Sequence, residues 1–146
     1  MATKLPENLT KEVYALGAAG REAWKRGALD EAETDFLKAW KVLPEPKRQY
    51  DLAPSLCRGF VIFYRDTKQF DKARHWLSEM REAYGPGTGP DLTVGFLSGT
   101  VYFEAGDLDK ASQFFLPLFE QYGNRPFSGE DKKYLEFVKR VSKDKK

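Results

Sequence analysis

At 146 residues, with 41% apolar and 14% aromatic content, the chain is long enough to bury a continuous core and too apolar for a disordered segment. Its formal charge of +2, with much of the positive excess in Lys139, Arg140, Lys143, Lys145 and Lys146, argues against nucleic acid as a partner. No apolar run approaches the roughly 18–20 residues of a membrane span, Met1 to Thr10 lacks the apolar stretch of a signal peptide, and Cys57 is the only cysteine. A soluble, cytoplasmic protein with no membrane attachment and no intramolecular disulfide is expected.

In the first segment, Leu9, Val13, Leu16, Gly20 and Ala23 recur at spacings of three and four, with Asn8 or Thr10 placed to cap and Gly27 placed to stop a helix over 10–26. Leu29, Ala32, Phe36, Ala39 and Leu43 continue the period to 43, where Pro44 and Pro46 end it. A second helical pair is predicted over 49–66 and 70–84, with Pro54 tolerated in the first turns. Gly85-Pro86-Gly87-Thr88-Gly89-Pro90 reads as a connector, because it lacks the Gly-Lys-Ser/Thr ending of a phosphate loop. A third pair follows over 91–105 and 108–122, with Pro117 expected to kink or break its second helix. A last helix, opened by Ser128-Gly129-Glu130-Asp131, carries Tyr134, Leu135, Val138 and Val141 toward the end of the array.

The three pairs are copies of one unit. Leu29-Asp30-Glu31-Ala32 with Phe36, Phe70-Asp71-Lys72-Ala73 with Leu77, and Leu108-Asp109-Lys110-Ala111 with Phe115 recur at intervals of about forty residues. Small residues at Gly20, Ala32, Gly99 and Ala111 let helices approach while a large neighbour fills the adjoining space. An all-α solenoid is therefore predicted as a single domain over 1–146, with repeats at about 10–46, 49–87 and 91–125, a capping helix at about 129–142 and a basic tail at 143–146.

Chemistry has little to work with. His75 is the only histidine, Cys57 has no CxxC partner, and neither belongs to a triad or a zinc ligand set. Glu130-Asp131 and the pair Glu104 and Asp107 are acids at helix ends, where the backbone dipole and capping account for them. No enzyme, no cofactor and no metal is expected.

These units resemble tetratricopeptide repeats. Gly20, Gly27, Ala32, Phe36, Ala39 and Pro44 carry the resemblance in repeat 1, and Gly99, Tyr102, Gly106, Ala111 and Phe115 carry it in repeat 3. Repeat 2 keeps Tyr64, Phe70 and Ala73 but has Val61 and Met80 at small-residue positions. The resemblance implies a protein-binding groove lined by the first helix of each repeat. Its partner-binding residues would be Tyr14, Arg21, Trp24 and Lys25, then Arg58, Ile62 and Arg65, then Phe96, Thr100, Phe103 and Glu104, a set rich in the aromatics and arginines that anchor interfaces. Of the Lys/Asn/Arg clamp that holds peptide carboxylates in co-chaperones, only Arg21 is present, so capture of a chaperone tail is not expected.

A second resemblance lies in Trp40 to Lys47 and Gly123 to Phe137, which are similar to small bacterial tetratricopeptide immunity proteins associated with Rhs and contact-dependent toxins. It implies a cytoplasmic inhibitor, monomeric until it binds a cognate toxin domain. A general adaptor with another protein partner is the alternative.

Overall fold

The computed structural model describes residues 2–84 and 92–144, so the Gly85–Pro90 connector lies outside the described residues. Seven α-helices lie among them: α1 (Glu7–Lys25), α2 (Leu29–Val42), α3 (Ala53–Asp66), α4 (Phe70–Tyr84), α5 (Leu92–Glu104), α6 (Leu108–Tyr122) and α7 (Lys132–Asp144). No strand is formed among the described residues beyond one isolated bridge between Thr3 and Tyr50. The chain divides into two compact units, Met1–Phe60 and Val61–Lys146.

In the first unit α1 and α2 form an antiparallel hairpin around Val13, Ala23, Ala32 and Ala39, all buried. The helix begins one turn earlier than the Asn8/Thr10 caps predict. Pro6, with φ −51°, sets the backbone for helix entry and no side chain caps it. Thr10 instead lies inside the first turn, and its hydroxyl donates to the Leu5 carbonyl at 3.1 Å. Gly20 explains the close approach of the two helices. A Cβ there would lie 2.5 Å from Phe36 Cε1, so the ring occupies the space that any side chain would need.

The second unit repeats this device. A Cβ on Gly99 would meet Phe115 Cε1 at 2.3 Å. At the equivalent positions of repeat 2 stand Val61 and Leu77, both buried, so this repeat uses neither a glycine nor a ring there.

The turn inside each pair is also shared. Gly27 donates to the Trp24 carbonyl and Ala28 to that of Ala23; Lys68 donates to Arg65 and Gln69 to Tyr64; Gly106 donates to Phe103 and Asp107 to Tyr102. This is a double-bonded helix stop with the middle residue left-handed. Glycine meets that demand at Gly27 (φ 79°) and Gly106 (φ 87°), whereas Lys68 adopts it (φ 61°) with a side chain.

Two expectations are corrected in the second unit. The break expected at Pro117 does not occur: α6 is one helix from Leu108 to Tyr122 with Pro117 at an exposed position inside it. The final helix starts at Lys132, not at Ser128-Gly129. A 3-10 turn over Arg125–Phe127 first drives Phe127 into the core, and Asp131 then accepts the Lys133 N–H at 3.0 Å. As expected, α7 covers the last pair: Tyr134 and Phe137 join Phe96, Phe115 and Phe127 in a ring cluster with centroids 5.4–6.3 Å apart around Phe96 and Phe115.

Candidate functional site

Within the first unit the outer face of α1 is formed by Tyr14, Ala18, Arg21 and Lys25, spaced four, three and four residues apart and all exposed. That spacing holds them on one stripe of a 3.6-residue helix, opposite Val13, Gly20 and Ala23, which face α2. Tyr14 is 61% exposed, the most open large apolar side chain among the described residues. Among the described residues Arg21 and Lys25 make no ion pair, and the one pair on this stripe is the exposed Lys11–Glu7 contact at 3.7 Å. The stripe offers ring area and unspent cations to an external group. Trp24 is different: half-buried, it packs edge-on against Phe36 at 6.5 Å. It supports the hairpin from the border of the stripe. Arg58 of α3 is exposed in the same unit.

The expected site residues of the second unit are placed inside its own packing. Ile62 is half-buried. Phe96 is 6% exposed and stands in the ring cluster; Phe103 is half-buried, edge-on to Tyr134 at 5.3 Å and Phe137 at 5.2 Å. Thr100 is fully buried, donates to the Leu97 carbonyl at 2.7 Å and accepts from Arg65 Nη1 at 3.0 Å. The Arg65 side chain is mostly covered, and its Nε also donates to Asp66 at 2.8 Å. Burial alone would lower the Arg65 pKa; the Asp66 bond and charge outweigh it and hold the guanidinium more firmly charged than usual.

Glu104 makes the other polar junction. It accepts from the Tyr134 hydroxyl at 2.7 Å and from Lys133 Nζ at 2.7 Å, tying the end of α5 to the start of α7. Burial pushes its carboxyl up, but the two donors and Arg65 pull harder, so it stays ionised below the ordinary glutamate range. The Tyr134 hydroxyl is pushed well above the ordinary phenol value by burial and by its bond to Glu104. Arg65, Asp66, Lys68, Glu104, Lys133 and Tyr134 line a polar cleft of about 390 Å³. Its charges are largely spent on each other. The role of Lys133 and Tyr134 was not apparent from sequence, because a contact across some thirty positions leaves no local signature.

No group of three or more metal-ligating side chains occurs among the described residues, and no helix among them is long and apolar enough to cross a membrane.

No protein-family model and no curated protein sequence matches the chain. Among solved structures, the N-terminal domain of stress-induced protein-1 (STI-1) from C. elegans is similar, with a TM-score of 0.63 at 16% identity over 94% of this chain and 99% of that one. The chain has an all-α, tetratricopeptide-like solenoid fold. At that identity the likeness speaks to fold alone.

Proposed function

We propose that this chain is a non-enzymatic protein-binding module whose contact surface is the outer face of α1. The observation that carries the reading is Tyr14, 61% exposed on the same helix stripe as Arg21 and Lys25, two and three turns later, which make no ion pair among the described residues. An exposed aromatic ring on one stripe with exposed cations suits an acidic protein surface: the ring supplies area at low entropic cost, and the cations steer and orient the approach. The tetratricopeptide-like fold supports the same class of function. The residues assigned to the groove in the second unit contribute differently, since Phe96, Thr100, Arg65 and Glu104 hold helices in place.

The partner we favour is a cognate toxin domain, on the resemblance carried by Trp40 to Lys47 and Gly123 to Phe137. Leu43, Phe127, Tyr134 and Phe137 in those segments are buried, so they would preserve the scaffold while exposed residues make the contact. Co-expression with the product of a neighbouring toxin gene tests this reading. Rescue by the native chain and loss of rescue with Tyr14→Ala/Arg21→Glu at equal soluble yield is expected. Failure of the native chain to protect would leave the adaptor reading, in which a different protein occupies the same face.

A further inference from the structure

Charge is placed unevenly along this chain. Residues 132–146 hold seven of its 24 cations and two of its 22 acids, so they carry +5 while the rest of the chain carries −3. Much of that excess is set out on α7. Lys132, Glu136, Lys139 and Lys143 follow one another at spacings of four, three and four, and all are exposed. They form one stripe, about 16 Å long at the rise of a helix. Tyr134, Phe137 and Val138, on the other side of α7, are buried in the core of the second unit. Arg140 borders the stripe, its guanidinium 5.9 Å from the centroid of the Phe137 ring. Successive cations lie about 6–11 Å apart along the axis, close to one Debye length, so their fields overlap.

Lys133 is spent on Glu104, at 2.7 Å. Lys132, Lys139 and Lys143 make no ion pair among the described residues. Lys132 is also badly placed for stability, since it opens α7, where the helix dipole disfavours a cation. A cation set against the local energetics without an internal partner is a local rule broken where an external contact would compensate. We infer that the outer face of α7 docks an acidic segment of a protein, its carboxylates paired with Lys132, Lys139 and Lys143. Other anionic surfaces fit less well. The helix exposes no large apolar side chain to enter a bilayer and no ring on which bases could stack. Glu136, inside the stripe, is repelled by a continuous array of phosphates, whereas a protein can place a basic residue opposite it. This docking face is separate from the α1 stripe and stands whether or not that stripe binds.

The test uses the full chain and a twelve-residue polyglutamate, with phosphatidylserine vesicles and an oligothymidylate of equal charge as comparisons. In amide NMR titrations polyglutamate should shift Lys132, Glu136, Lys139 and Lys143, and added salt should weaken the effect. Lys132→Glu/Lys139→Glu should weaken binding at α7 roughly tenfold, the scale of two exposed ion pairs exchanged for repulsions, with circular dichroism unchanged. Arg21→Glu/Lys25→Glu alters the total charge by the same amount and should leave the α7 shifts in place, which separates this face from α1 and from a net-charge effect. Absence of shifts on α7, their persistence in Lys132→Glu/Lys139→Glu, or their loss in Arg21→Glu/Lys25→Glu would overturn the inference. Tighter attachment to the vesicles or to the oligothymidylate would also overturn it, by making the occupant a lipid surface or a nucleic acid. So would a dimer that Lys132→Glu/Lys139→Glu returns to monomer, because the occupant would then be the acidic remainder of a second copy.

Discussion

Adding one methyl group at Gly99 should cost the second unit substantial stability, although helix propensity alone says the reverse. Alanine in a helix interior is favoured over glycine by about 1 kcal/mol. A Cβ at Gly99, however, would lie 2.3, 2.6 and 2.8 Å from three carbons of the Phe115 ring. Relief requires the ring to move by more than an ångström, and it is fully buried against Phe96, Phe127, Tyr134 and Phe137. Overpacking of this kind costs about 1–3 kcal/mol, and where neighbours cannot give, the upper end applies, so a net loss of up to about 2 kcal/mol is expected for Gly99→Ala after the propensity gain of about 1 kcal/mol is subtracted. The equivalent contact in the first unit provides the comparison. Phe36 is only half-buried, so its ring can swing toward solvent and Gly20→Ala should cost less. Urea unfolding followed by circular dichroism measures both, and Phe115→Leu in the Gly99→Ala background should recover part of the loss. A Gly99→Ala variant as stable as the native chain, or more so, would show that the ring does not occupy the space the glycine leaves.

Ala32→Arg and Ala111→Arg, each placing a long cation at a fully buried position, should unfold the chain or lower its stability by several kcal/mol, on the order of about 3–5; unchanged thermal transitions would refute the shared repeat packing. Lys68→Gly should raise stability by up to about 1 kcal/mol, because Lys68 holds a left-handed backbone that glycine adopts without side-chain crowding; a loss would indicate that the lysine side chain compensates the strain. Glu104→Gln should destabilise at neutral pH by weakening the Lys133 pair. Because the folded Glu104 pKa lies below its unfolded value, that difference should be present above the ordinary glutamate range and disappear as pH falls through the folded value, so the two unfolding curves converge in acid. A gap that is constant with pH would remove the charge from the explanation.

Helix bounds at Phe70–Tyr84 and Leu108–Tyr122 were legible because an apolar residue and an acid mark each start and the 3.6-residue period continues to a tyrosine. Starts without such a mark were misplaced. Pro6 opens α1 with no cap, and Ser128 to Asp131 form a turn because Phe127 must reach the core first. Site assignment depended on which face of each first helix stays open, and periodicity alone does not settle that. The α1 stripe could be read from its phase relative to Val13, Gly20 and Ala23. Phe96 and Phe103 could not, since what covers them is Tyr134 and Phe137, some thirty to forty residues later. Pro117 illustrates the same limit from the other side: a helix breaker by propensity is carried by the packing of Phe115 and Leu118 on either side of it.

The most direct measurement is partner recovery by the native chain and by Tyr14→Ala/Arg21→Glu/Lys25→Glu, followed by titration of the recovered protein against both. Exposed residues alone are changed, so the triple variant should match the native circular dichroism and melting temperature. Its affinity should fall by at least about 2 kcal/mol, roughly thirtyfold, if Tyr14 is an interface anchor. Equal affinity of the folded triple variant and the native chain, with binding lost instead on Lys38→Glu in α2, would contradict the assignment of partner binding to the outer face of α1.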